Sequence, residues 1–501
     1  MYKMKRIIYT YVLILMFIIA GYHCRKSLDL APKGSATTAT YYKTATDAKA
    51  AVTGAYSILA TSLYRDEVIV TPNVVGADDG IPFLTGNAER LSLWRYGFTT
   101  TNAFTSGNPW SQSYIGIQRC NVAIVHIPTI DMDPDLRARY VAEAKFIRAL
   151  HYFNLVRLFG GVPIITNETV SLDNVTIPRN TVEEVYNQIE TDLKDAEAAL
   201  PVKYTSTTDI GRATVGAAKA LLAKVYLTRA GKDAGSPFWG QAAAKAKEVM
   251  NLGAGYDLWT NYSDVFAKAN KGGKESVFEI VFATDLSGAG NNFATGYAPR
   301  GVPIVPNTGS GILRVSKDLF DLYEEIDQRK AVSFLTAYVN PANGQIVQLS
   351  ITDPDPAKAV SFWKLADSTS KISGQAGKDF PYLRFSDVLL MYAEALNESA
   401  GAPTVESYQA LNRVRERAGI GDVAGLSQQQ FRDSVLLERR REFCFEGQRR
   451  FDLVRTGRLL DAVNAETSFG RSPTIKSFNV LFPIPQREMD ANAALVQNNG
   501  Y

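Results

Sequence analysis

Residues 136–163, LRARYVAEAKFIRALHYFNLVRLFGGVP, carry apolar or aromatic side chains on almost every face of a helical period, and the run stops at Gly160, Gly161 and Pro163. A helix that is apolar all round is enclosed by neighbours, so this stretch requires other helices packed about it. His151 lies inside it and reads as a core histidine with its hydrogen bonds satisfied rather than as a ligand. Upstream, Trp110 opens a helix in which Tyr114 and Ile117 follow at spacings of four and three, which points to core packing. Downstream, residues 181–200 begin at a cap, Asn180 or Thr181, with Glu183 and Glu184 in the first turn. Residues 214–230 (TVGAAKALLAKVYLTRA) set Ala217, Ala220, Leu221 and Lys224 at helical spacing, so that a partner helix can approach closely, and residues 238–252 supply the next helix. Pairs of this kind suggest tetratricopeptide-like hairpins, whose repeat is ~34 residues, although no strict repeat is visible.

Farther out, the chain reads as two helical regions, residues 42–252 and 381–464, around a middle of different character. From 256 to 380 Gly, Asn, Pro and Ser become frequent, residues 275–283 (ESVFEIVFA) alternate like a strand, and residues 285–311 show no periodicity. Residues 78–109 form a second Gly-, Asn- and Thr-rich excursion. Structureless loops of such length in a compact protein are usually functional.

At the N-terminus Lys3, Lys5 and Arg6 precede an apolar run of about 14 residues, short of the ~20 that a spanning helix needs. Residues 1–23 therefore read as a signal peptide ending before Cys24, whose thiol would carry a lipid, with residues 24–40 as tether. His23 stands where a small residue would favour that cleavage, and a cut elsewhere would leave Cys24 an ordinary thiol. Removing those 23 residues takes away three positive charges and no acids, so the formal charge of +3 becomes zero. A neutral chain without a basic tract offers no footprint for nucleic acid.

Beyond Cys24 only Cys120, Cys444, His126 and His151 remain, too few and too scattered for a zinc site or a Cys-His or Ser-His-Asp constellation. No metal, cofactor or catalytic residue is expected. Cys120 and Cys444 read as small core residues. Glu438, Glu442 and Glu446 repeat every four residues, with Arg441, Arg449 and Arg450 within a turn, which favours an ion network over acid–base chemistry. The tandem Asp78 and Asp79 suit a turn before Gly80 as well as a cation or a sugar hydroxyl.

Several blocks together resemble the SusD/RagB family: YYKTATDAKAAVTGAY (41–56), WSQSYIGIQRCN (110–121) and AEAKFIRALHYFNLVRLFGGVP (142–163). In the same order follow YLRFSDVLLMYAEALN (382–397), LNRVRERAG (411–419), ERRREFCFEGQRRFDLVRTG (438–457) and the ending LFPIPQREMDANAALVQNNGY (481–501). The resemblance implies a mainly α, SusD-like fold: tetratricopeptide-like helical pairs over residues 41–255, scaffolding a loop-rich second half with a few short strands over residues 256–501. It further implies a surface-exposed outer-membrane lipoprotein that is not an enzyme. Such a protein captures oligosaccharides, or in some branches peptides, and hands them to a SusC-type TonB-dependent transporter. A surface glycan hydrolase is the rival reading from another class, and a helical-repeat adaptor a weaker third.

The family blocks do not mark a ligand site. A sugar asks for aromatic faces beside hydrogen-bonding side chains on exposed loops. The candidates are Phe83, Asn87, Arg90, Trp94 and Tyr96 in the first long loop and Asn292, Phe293, Tyr297 and Arg300 in the second, with Tyr64 and Trp259 as weaker ones.

Overall fold

A computed structural model describes residue 4 and residues 42–65, 68–171, 176–305 and 308–501. The expected signal peptide, Cys24 and tether lie outside them. Nine helices of 13 or more residues stand out among the described residues: α1 (Ala45–Ile58), α2 (Asn108–His126), α3 (Pro134–Phe159), α4 (Val182–Ala199), α5 (Val215–Ala230), α6 (Phe238–Met250), α7 (Phe385–Ala400), α8 (Val405–Ala418) and α9 (Gln428–Glu442). The fold is mainly α.

Local chemistry sets the helix ends. Asp133 caps α3 by accepting from the Leu136 amide at 2.8 Å, Pro134 fills the first helical position, and Gly160 at φ 75° ends the helix where a side chain would be strained. Thr181 and Glu184 form a reciprocal capping box at the start of α4. Every residue of α3 from 146 to 159 is buried, because α1, α2 and α4 all pack against it.

The helices stack in sequence order, α2 on α1, α3 on α2, α4 on α3, α5 on α4 and α6 on α5. The next layer on α6 is α7, which lies more than 130 residues farther along the chain and in turn carries α8 and α9. The loop-rich middle is thus let into a continuous helical stack, and one hydrophobic core runs through both halves from Ala55 to Leu495. Among the described residues, four short antiparallel strand pairs tie the middle together and to the first loop: Gly80–Pro82 with Leu313–Val315, Ser276–Ile280 with Phe380–Arg384, Phe334–Leu335 with Ser361–Phe362, and Ala337–Val339 with Ile346–Gln348. No helix among the described residues is long and apolar enough to cross a membrane.

Polar groups inside the stack depart from two expectations. His151 is buried, yet neither ring nitrogen finds a hydrogen-bond partner among the described residues, and burial holds its pKa down to about 3. It is a neutral packing element, not a satisfied one: its ring lies so near Gly116 of α2 that a Cβ there would stand 2.1 Å from Nε2. The glutamates around the end of α9 do form an ion network, but with distant partners. Glu438 takes Arg329 and Arg415, Glu442 takes Arg329, Arg384 and Arg417, and Glu446 takes Lys364 and Arg384. Of the sequence-near arginines, Arg441 comes only to 3.7 Å of Glu438, Arg449 pairs with Asp78, and Arg450 donates to the Asn479 and Val480 carbonyls. The helix ends at Glu442, and Phe445 at φ 63° and Gly447 at φ 68° turn the chain out of its line, so i±4 spacing does not predict the partners of Glu446, Arg449 and Arg450. Cys120 and Cys444 are free and buried.

Candidate functional site

The two long loops meet at the ribbon in which Gly80 faces Val315 and Pro82 faces Leu313, and beneath it the aromatics predicted for ligand are core. Phe83 is 1% exposed, Trp94 0%, Tyr96 4%, Phe293 1% and Tyr297 1%. These five cannot present a ring face to a surface ligand, which corrects the sequence-based expectation, and Tyr64 is buried likewise. The cause is helical spacing. A short helix, Phe293–Tyr297, sets its two aromatics four residues apart on the inner face, where Phe293 stacks on Phe380, Tyr297 meets Phe445 edge to face, and the Tyr297 hydroxyl meets Thr71 at 3.2 Å. In Ala88–Arg95 the inward residues are Leu93 and Trp94, and the Arg471 side chain binds the Trp94 carbonyl. Phe83 has the Arg314 guanidinium 4.2 Å from its ring centre, and Phe469 lies on the other side of that cation at 3.7 Å.

The polar candidates keep access. Asn87 is exposed and caps its helix by accepting from the Arg90 amide at 3.0 Å; Arg90 is half-buried with its guanidinium 5.2 Å from the Phe104 ring. Asn292 is half-buried and Arg300 exposed. Trp259 is half-buried under Lys274, at 5.2 Å. Asp78 and Asp79 are not available to a ligand: both are buried against Arg440, and Arg449 grips Asp78 with two bonds. Burial alone would raise the Asp78 carboxyl, but Arg449 and Arg440 outweigh it and bring it down to about 2.

What the loops do assemble is a patch around Trp363, a residue the sequence reading passed over. Trp363 follows the strand Ser361–Phe362 and is half-buried; its amide donates to the Ser333 carbonyl at 2.8 Å, which fixes the backbone beneath the ring. With Ile304 it covers a small apolar cluster of Ala294, Ala298, Val305, Ala366 and Ala376. Beside Ala294 and Ala376 lies a hydrogen-bonding group. The Asn292 amide donates to the Arg65 carbonyl at 3.0 Å, and Arg65 donates from Nε to Gly290 and from Nη2 to Gly374, while the Gly374 amide donates to Thr295 Oγ1. Two glycines permit this closeness: a Cβ on Gly290 would stand 2.3 Å from Gln375, and Gly374 has φ 68°. The result is an indole and an isoleucine over a small apolar cluster, whose chain neighbours Asn291 and Asn292 lead to half-buried Arg65. An alternation of inward Phe362 and outward Trp363 was the signal available in the sequence.

Comparison with known proteins covers almost the whole chain. Residues 350–501 match the family model described as "SusD family", and residues 28–227 match "Starch-binding associating with outer membrane". Among curated proteins, SusD-like protein P25 of Formosa agariphila is 27% identical over 98% of this chain and 99% of its own length. Starch-binding protein SusD of Bacteroides thetaiotaomicron is 26% identical over 72% of this chain and 73% of its own. Among solved structures, a laminarin-binding SusD-like protein is 28% identical with a TM-score of 0.78, covering 92% of this chain and all of that one. A SusD homolog from Bacteroides thetaiotaomicron is 26% identical with a TM-score of 0.79, over 93% and 98%.

Proposed function

This chain belongs to the SusD/RagB family, and from that premise we propose that it is a non-catalytic, lipid-anchored capture protein of the outer membrane. It binds oligosaccharide on its loop face and delivers it to a SusC-type TonB-dependent transporter. The observation that carries the glycan reading is the Trp363 patch: a partly exposed indole with Ile304 offers an apolar plane for a sugar ring, and Arg65, Asn292 and Arg300 offer hydrogen bonds to hydroxyls. A relative that is named starch-binding and another that is named laminarin-binding support the same ligand class. The rigid helical stack suits the task, because it leaves the loops as the adaptable part.

Against a hydrolase stands the state of the two carboxylate groups singled out in the sequence, the glutamates around the end of α9 and the Asp78–Asp79 pair. Burial would raise Glu442, but Arg417, Arg384 and Arg329 hold it well below the usual carboxylate range, so it is poorly placed to donate a proton. Asp78 is locked in the same way. Cys24 lies at the position for lipid attachment, and one matched family description itself refers to association with the outer membrane.

The test is calorimetry of the purified full-length protein against plant, host and microbial oligosaccharides and mixed peptides, with reducing-end release followed in parallel. Binding without product is the expected result, and Trp363→Ala should weaken it by about tenfold or more, since ~1.4 kcal/mol of lost stacking is a factor of ten. Turnover of any panel member sinks the non-catalytic reading. Undiminished binding by the variant removes Trp363 from the site.

A further inference from the structure

Away from the Trp363 patch, between the 202–214 loop, the turn at 254–256 and the strand Ser276–Ile280, lies a cavity of about 330 Å³, with a second of about 230 Å³ adjoining it across Ile210, Gly211 and Arg212. Its size falls within the range of small-molecule sites, which starts at roughly 300 Å³. Gly211, Gly255, Gly272 and Gly273 all line it, and at Gly255 no atom lies within 4 Å of where a Cβ would stand. Gly211 is required by its φ of 83° and by the Val281 side chain, 2.4 Å from where a Cβ would stand.

The charges around it do not cancel. Arg212 and Asp209 neutralise each other at 3.0 Å, and Arg212 also pairs with Glu143 at 2.7 Å. Lys203 is exposed and forms no ion pair among the described residues. Lys274 reaches only to 3.7 Å of Asp257, a carboxylate that Arg413 already holds at 2.6 Å. On the floor, burial and the neighbouring Asp379 carboxyl push Glu279 up to about 7, so at neutral pH it is only partly ionised and does not cancel the two lysines. The mouth is therefore positive. Its lining includes aromatic and apolar side chains: Tyr204 and Tyr256 are half-buried, and Val202 and Ile210 are 43% and 37% exposed.

We infer that this cavity is a second ligand site that takes a small sugar acid, a hexuronate whose carboxylate meets Lys203 and Lys274 and whose ring packs against the tyrosine wall. The site shares no residue with the Trp363 patch and stands or falls independently of it.

Calorimetric titration of the purified full-length protein with sodium glucuronate and with glucose, at matched pH and ionic strength, tests it. Glucuronate should bind at least about tenfold more tightly than glucose. The double substitution Lys203→Ala and Lys274→Ala should bring glucuronate down to the glucose level, and Ala254→Phe, which fills the cavity, should abolish both. Both lysines reach solvent, so their replacement keeps the test decisive if the cavity-filling variant fails to fold. Equal affinity for the two sugars, no binding of glucuronate, or glucuronate binding that survives the lysine pair's removal overturns the inference.

Discussion

Glu279 and Asp379 place two carboxyls in one buried corner, where Lys271 reaches Asp379 and the Gly272 amide donates to Glu279. The folded chain keeps a proton on Glu279 that the unfolded chain releases near 4.5. Stability is therefore fully present below about pH 4.5 and is lost as the pH climbs to about 7, by an amount on the order of 3 kcal/mol. Glu279→Gln, which keeps the acceptor for the Gly272 amide, should flatten that dependence and leave the variant more stable than the parent above neutral pH. Urea denaturation at a series of pH values checks it; an unchanged slope between those limits means that Glu279 titrates normally. The predicted aromatic ligand residues show the limit of reading single residues. Composition gives the number of rings in a loop, but whether Phe293 or Trp363 faces outward depends on what lies beneath, and Phe380 and Phe445 lie 87 and 152 residues farther along the chain than Phe293.

Helix by helix, the sequence was far more legible. The apolar periodicity of α3, the cap at Thr181 and the small-residue face of α5 all have counterparts at nearly the expected bounds, because they depend on residues within a few positions of one another. Contact between helices is where local reading ends. Gly116 allows α2 to close on His151 of α3, so Gly116→Ala should force the ring aside and destabilise the protein by about 1–3 kcal/mol. A double-mutant cycle with His151→Ala, followed by thermal denaturation, should show the two substitutions to be strongly coupled. Additive effects would mean that α2 and α3 relax apart without touching at this point.

Across the molecule, the stack runs from α6 directly to α7, and the glutamates at the end of α9 bind cations from the loop-rich middle and from the second helical region: Arg329 and Lys364 from the middle, Arg415 and Arg417 from α8, and Arg384 from the strand leading into α7. Glu442→Ala strips three arginines of a shared, fully buried partner and should cost about 3–5 kcal/mol. Because a single core joins the halves, the loss should appear as a lower midpoint of one transition, seen alike by circular dichroism and tryptophan fluorescence. Two separated transitions in the variant would show that the loop-rich middle unfolds on its own.

By itself the sequence determined the mainly α architecture, the family, and the presence of long loops in an otherwise helical chain, because periodicity, capping and ordered motifs are written in short-range spacing. Only the tertiary structure decided which loop side chains are floor and which are surface, which cations neutralise Glu438, Glu442 and Glu446, and that Trp363 rather than Trp94 offers its ring to solvent. Burial and ion pairing are properties of groups brought together from distant positions, and a side chain's exposure is fixed by neighbours that its own stretch of sequence does not contain.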